Sequence, residues 1–154
     1  MTEQLLASLA DGLLLGFVYG LASMGLSLIW GVMRVINLAH GPTMVLGMFT
    51  TYLLFSVLGI HPYVALPIVV VLSLLFGFLV YTTAVHRVID APHLSTLLAT
   101  FAVNMMIIGI GTAVFTTTPR NVDIPVGRVQ VGPVTLLSTR LVATLIAVVV
   151  TAGL

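Results

Sequence analysis

The sequence predicts an all-α fold, a polytopic transmembrane helix bundle of about five hydrophobic segments, and three observations predict it. Of 154 residues, 60% are hydrophobic and 6% are charged, whereas a soluble domain carries roughly a quarter charged residues. Such a chain cannot cover its own surface with polar groups. Apolar runs recur at about the 20 residues needed to cross a hydrocarbon core of about 30 Å. Between them stand short clusters of Pro, Gly, Asn, His and Arg, the residues that start and stop helices.

The first helix is expected from about Gly12 to Met33. The preceding "MTEQLLASLADG" lacks the basic region of a secretory signal and carries Glu3 and Asp11, so the helix is read as retained. Gly12, Gly16 and Gly20 recur at four-residue spacing, followed by Gly25 and Gly31. Small residues on one face let membrane helices approach closely. Helix packing is the plain reading of this stripe, and a position beside a pathway is the functional one. Asp11 reads as an interfacial cap rather than an ion ligand.

The second helix is expected from about Thr43 to Leu58, short enough to need extension through "INLAHG". Between helices one and two lies "GVMRVINLAHGPTMVLG", Gly31 to Gly47, which holds an arginine, an asparagine, a histidine, a proline and three glycines between two long apolar stretches. Arg34 can anchor a helix end at the headgroups. Asn37 can accept from the backbone N–H of Ala39 or His40. Pro42 falls in the first turn or two, where its missing N–H costs little. Either this is a plain turn, or it is a broken helix of the kind that lines substrate sites in transporters. His40 alone makes no metal site, and a proton relay there would need a carboxylate that is not nearby.

The third helix is expected at about Tyr63 to Val85 and the fourth at about Leu94 to Thr116. Between them, Arg87 and Asp90 can pair if the turn is helical, and Ser95 and Thr96 can cap helix four. A catalytic His/Asp/Ser grouping would need an oxyanion element or shielded pocket, and neither is readable nearby. No catalytic residue is assigned. Asn104 interrupts helix four, either as interhelical packing glue or as pathway lining. Gly109 and Gly111 serve close packing, and they form no GxGxxG because Val114 takes the third position.

The stretch from Thr116 to Thr139 alternates Val/Ile with Arg, Asp and Gln between Pro and Gly. That is a short hairpin pattern outside the membrane, a lid or docking surface, or else a plain connector. A fifth segment starts near Val134 and is still apolar at Leu154. It reads as cut in mid-membrane, the alternative being a helix from near Pro133 with Arg140 snorkelling or buried. With the N-terminus outside, Arg34 and Arg87 fall inside while Arg120, Arg128 and Arg140 fall outside, so the positive-inside rule does not decide orientation.

Composition also excludes function classes. All the basic residues are arginine, so a Walker A loop is impossible and any ATP chemistry must come from a partner. A net charge of +1 without clustered basic residues leaves no nucleic-acid partner expected. The absence of cysteine removes thiolate nucleophiles and cysteine zinc sites, and His40, His61, His86 and His93 are scattered without an HExxH. Neither a metal nor a cofactor is expected.

"GLASMGLSLIWGVMRVINLAHGPTMVLGMFTTYLL" resembles the N-terminal region of permeases of branched-chain amino acid ABC importers. Their recurring pattern is G(L/V)xxGxxYALxAxGLxLxxGVxxxINxAHGExxMLGAY. This chain keeps Gly12, Gly16, Tyr19, Gly20, Gly25, Gly31, Ile36, Asn37, Ala39, His40, Gly41, Met44, Leu46 and Gly47. Further on, "HRVIDAPHLSTLLATFAVNMMIIGIG" is similar to the stretch after the family's third hydrophobic segment, an Arg-rich turn and then PLxxLLxTxGxSxxLQN. Pro42 stands where Glu is common, and Asn104 belongs to a variant of the helix-four pattern.

The resemblance implies that residues 1–154 are the N-terminal part of a single transmembrane permease domain in the cell inner membrane, a fragment of a longer subunit whose coupling loop lies further on. It implies no enzymatic activity in this chain. The cargo would be a branched-chain amino acid or a related small polar solute such as urea or an amide. Partners would be ATP-binding cassette subunits, a second permease subunit, a periplasmic or other extracytoplasmic substrate-binding protein, and the lipid bilayer. The polar stretch after helix four would face the periplasm. Path-adjacent residues would be Asn37, His40, Gly41, Asn104 and Tyr19. The competing reading is a small structural or assembly subunit of a membrane complex, complete at Leu154 and needing no path.

Overall fold

The computed structural model describes residues 2–116, 118, 122, 127–131 and 134–153. Five α-helices carry the chain: α1 (Thr2–Met33), α2 (His40–Leu58), α3 (Pro62–Val80), α4 (His93–Phe115) and α5 (Ser138–Gly153). A π-helical turn, Tyr81–Val85, continues α3, and a two-stranded hairpin, β1 (Arg128–Val131) with β2 (Val134–Leu137), precedes α5. The fold is all-α, with the hairpin as its one departure among the described residues. Four helices are long and apolar enough to cross a membrane, Gln4–Met33, His40–Leu58, Pro62–Val85 and His93–Phe115, whereas α5 is a shorter apolar helix.

The chain divides into two compact units, Met1–Leu28 with Asp123–Leu154, and Ile29–Val122. In the first, α1 begins ten residues earlier than the sequence suggests, at Thr2 rather than Gly12. Asp11 therefore lies inside a helix and caps nothing. Its carboxylate meets the Arg140 guanidinium at 2.5 Å, an ion pair in place of the expected interfacial cap. One turn along both helices, the Thr144 hydroxyl lies 3.2 Å from the Leu14 carbonyl, and 2.9 Å from that of Arg140 in its own helix. Arg140 thus neither snorkels alone nor is buried, its side chain being 34% exposed.

The expected hairpin is present. Arg128 pairs with Leu137 and Val131 with Val134 in antiparallel register. The fifth segment consequently starts as a strand at Val134 and becomes helical only at Ser138, later than expected. The Ser138 hydroxyl and its backbone N–H both donate to the Gly127 carbonyl, tying the hairpin to the start of α5. Arg120 and most of the expected lid between Thr116 and Gly127 lie outside the described residues.

In the second unit, α2 ends in a six-to-one turn. Gly59 takes φ 65°, and Ile60 N–H donates to the Leu54 carbonyl. That left-handed position suits a residue without Cβ. Helix α3 opens with Pro62 in its first turn and tolerates Pro67 inside it. The π turn that follows closes with the His86 N–H donating to the Tyr81 carbonyl at 2.7 Å. Thr82 and Thr83 hydroxyls donate to the Phe78 and Leu79 carbonyls, adding donors where the backbone register changes. Helix α4 packs on α2 through stacked Phe49 and Phe115 rings, 4.1 Å apart.

Two expectations about the start of α4 are corrected. Pro92 is the N-cap residue, and neither Ser95 nor Thr96 caps a backbone N–H through its side chain. The Thr96 hydroxyl instead donates back to the His93 carbonyl at 2.8 Å. No ion pair joins Arg87 and Asp90 among the described residues.

Candidate functional site

The segment between α1 and α2 is a partly buried helix break. Helix α1 ends at Met33, and Arg34 turns the chain with φ 53°, its N–H still donating to the Trp30 carbonyl at 2.9 Å. Residues 34–39 then run without helical structure before α2 starts at His40. Loops of soluble proteins lie on the surface because water satisfies their backbone. Here Val35 and Ala39 are among the six buried apolar residues described, at 3% and 2% exposure.

Backbone groups removed from water must find partners inside the protein. A single side chain supplies two of them. Thr100, on α4 and 1% exposed, donates its hydroxyl to the Ile36 carbonyl at 2.8 Å and accepts from the Leu38 N–H at 3.3 Å. The Leu97 carbonyl stands 3.1 Å away as the competing, local acceptor for that one hydrogen. Asn37 supplies the next link. Its Oδ1 accepts from the Ala39 N–H at 3.0 Å, and its carbonyl accepts from the His40 N–H at 3.3 Å. The expected Asn37 cap is therefore present as a turn that precedes the helix, since the N-cap residue itself, Ala39, uses no side chain. Pro42 sits in the first turn of α2, where the Thr43 N–H already reaches the Ala39 carbonyl.

A cavity of about 230 Å³ opens where this break meets the π turn. Asn37, Ala39, His40 and Thr43 line it from the break and α2, and Val80, Tyr81 and Val85 from the end of α3. A second cavity, about 260 Å³, continues between α2 and α3 past Gly47, Thr50 and Ser73, sharing Thr43 and Phe76 with the first. Both therefore carry hydroxyls or amides on otherwise apolar walls. On the other side of α2 a larger groove of about 440 Å³ runs against α4, past Gly41, Pro42, Phe49 and Gly111, and is nearly all apolar.

Asn37 and His40 thus come together on one cavity, while Gly41 lines the neighbouring groove. Asn104 lies half-exposed on α4 away from both sets of lining residues, and its amide makes no hydrogen bond to the described residues. Tyr19 belongs to the other unit and is 69% exposed. Gly12, Gly16 and Gly20 present an open face, where an added Cβ would meet nothing within 4 Å. Sequence reasoning missed Thr100, Thr43 and Tyr81. The only available signal for Thr100 was a Thr96/Thr100 pair four residues apart on an apolar helix, and many packing threonines share that spacing.

The described residues contain no group of His, Asp or Glu that could hold a metal ion. What the site offers is a largely apolar cavity with an amide, an imidazole and two hydroxyl-bearing side chains on its walls, beside non-helical backbone between membrane-length helices. No curated protein and no solved structure matches the chain. A family profile does match, over residues 8–154, and its description is branched-chain amino acid transport system / permease component. That match takes in most of α1, the other membrane-length helices, the break and its Thr100 clamp, and the chain is accordingly a member of the branched-chain amino acid transport permease family, a multi-pass membrane component of a transport system.

Proposed function

We propose that the chain forms part of the translocation path of an ABC importer in the inner membrane, carrying a branched-chain amino acid or a related small polar solute. The observation that supports this most is the helix break between α1 and α2 with a cavity on it that carries Asn37, His40, Thr43 and Tyr81. Amide, imidazole and hydroxyl groups on a cavity between membrane-length helices are the lining a polar solute needs on its way across. Asn37 and His40 line the path, Gly41 in the first turn of α2 lies beside it, and Asn104 and Tyr19 are further candidates along it. ATP-binding cassette subunits drive alternating access, a second permease subunit completes the path, and an extracytoplasmic binding protein delivers the solute. The chain itself makes and breaks no covalent bond.

The test is solute uptake by the full-length permease with its partners. Asn37→Leu and His40→Leu each lower uptake by about tenfold or more, the cost of leaving a buried polar contact unmade, while membrane insertion stays intact. Uptake equal to wild type in both variants removes these residues from the path.

A further inference from the structure

Helix α3 changes register at its end. The π turn Tyr81–Val85 closes with the His86 N–H on the Tyr81 carbonyl, five residues back rather than four. One residue more than an α-helix needs is therefore stored in this turn, an arrangement found frequently at functional sites. Thr82 and Thr83 support it there by donating their hydroxyls to the Phe78 and Leu79 carbonyls.

The turn stands beside two cavities that share a wall. The cavity at the break, about 230 Å³, and the one between α2 and α3, about 260 Å³, meet at Thr43 and Phe76, which line both. Thr43 is small, and its hydroxyl is committed to the Ala39 carbonyl at 2.7 Å. The phenyl ring of Phe76 is thus the bulk of the shared wall, and the residue after it is Gly77. A Cβ added at Gly77 would meet nothing within 4 Å.

A stored residue can travel along a helix. When it passes from the π turn to the turn that holds Ser73, the stretch between them advances by one place, a rotation of about 100°. Each position is then taken by the residue that follows it. Gly77 stands where Phe76 stood, and Phe78 where Gly77 stood, while both ends of α3 keep their places. The stretch reads Phe76-Gly77-Phe78-Leu79-Val80, so no polar side chain turns toward lipid on the way. At the destination Ser73 lies on the second cavity, with a hydroxyl that makes no bond to the described residues. It supplies there the kind of donor that Thr82 and Thr83 supply at the present site.

We infer that the π turn of α3 is a one-residue register switch, and that Phe76 and Gly77 form its gate between the two cavities. With the turn at Tyr81–Val85, the Phe76 ring closes the shared wall. With the turn moved to Ser73, Gly77 replaces that ring and the cavities join alongside α2, while Phe78 narrows the cavity at the break. The inference rests on the permease reading and adds to it an element that opens and closes the path.

The test is cross-linking in the full-length permease assembled with its partners, which reads register without relying on transport. The chain contains no cysteine, so Thr43→Cys and Phe78→Cys are introduced as a pair and treated with a short bifunctional thiol reagent. Phe78 is 67% exposed and lines neither cavity in the present register, so this pair cross-links only after the shift. Deletion of Ala84 removes the stored residue, leaves Phe76–Val80 in place and abolishes the cross-link. Thr43→Cys with Phe76→Cys cross-links with or without that deletion. Gly77→Leu fits the present register but refills the gate after the shift, so uptake falls by about tenfold while the unfolding temperature stays at that of wild type. No cross-link between positions 43 and 78, its persistence after deletion of Ala84, or wild-type uptake by Gly77→Leu overturns the switch. Uptake that depends on Asn37 and His40 without that cross-link leaves the permease standing and removes the gate.

Discussion

Thr100 holds the break from α4, because one hydroxyl satisfies a carbonyl and an N–H of it at once. Thr100→Val keeps the shape and removes both bonds. Each orphaned buried backbone group costs about 1–3 kcal/mol, so the variant unfolds at a lower temperature in detergent and loses uptake, while Thr100→Ser retains most of both. Equal thermal stability of Thr100→Val and wild type would show that the break holds itself. Asn37 was legible in the sequence because an Asn just ahead of a helix commonly accepts from a backbone N–H at the helix start. Thr100 was not, because a lone hydroxyl on an apolar helix reads the same whether it bonds its own turn or a segment 64 residues away. Arg34 was visible as a helix-end anchor, but its left-handed backbone at φ 53° was not.

At the level of elements, the helices were read well where apolar length alone decides and poorly where polar residues sit inside a helix. Asp11 pushed the expected start of α1 past itself, since an isolated carboxylate is costly in an apolar helix. The structure relieves that cost with Arg140, a partner 129 positions later that no local pattern exposes. Neutralising either partner is expected to loosen α1 from α5 by about 1 kcal/mol at this partly exposed position, read as a lower unfolding midpoint, with Asp11→Arg plus Arg140→Asp recovering it. The end of α2 makes a cleaner case. Gly59→Ala places a Cβ at φ 65° and should cost about 1 kcal/mol, measured by the same melting experiment. The π turn was hidden because Tyr-Thr-Thr-Ala-Val fits an α-helix as easily, and only the register of the His86 N–H distinguishes the two.

For the whole molecule, composition settled the membrane class, and the described structure keeps little buried within the chain. Large apolar residues such as Val32, Leu74 and Met48 are more than 60% exposed, as expected where lipid or further protein supplies the surroundings. The break differs, an irregular segment that buries Val35 and Ala39 and places Asn37 on a cavity. The chain contains no cysteine, so a single introduced thiol reports its own surroundings without further engineering of these residues. The deciding measurement is the reaction of Asn37→Cys with a hydrophilic, membrane-impermeant thiol reagent in the assembled importer, with Leu74→Cys on the apolar face of α3 as control. The account predicts that Asn37→Cys reacts, that transported solute slows the reaction, and that Leu74→Cys stays inert. A thiol at position 37 as unreactive as that at 74, or one that solute fails to protect, would contradict it.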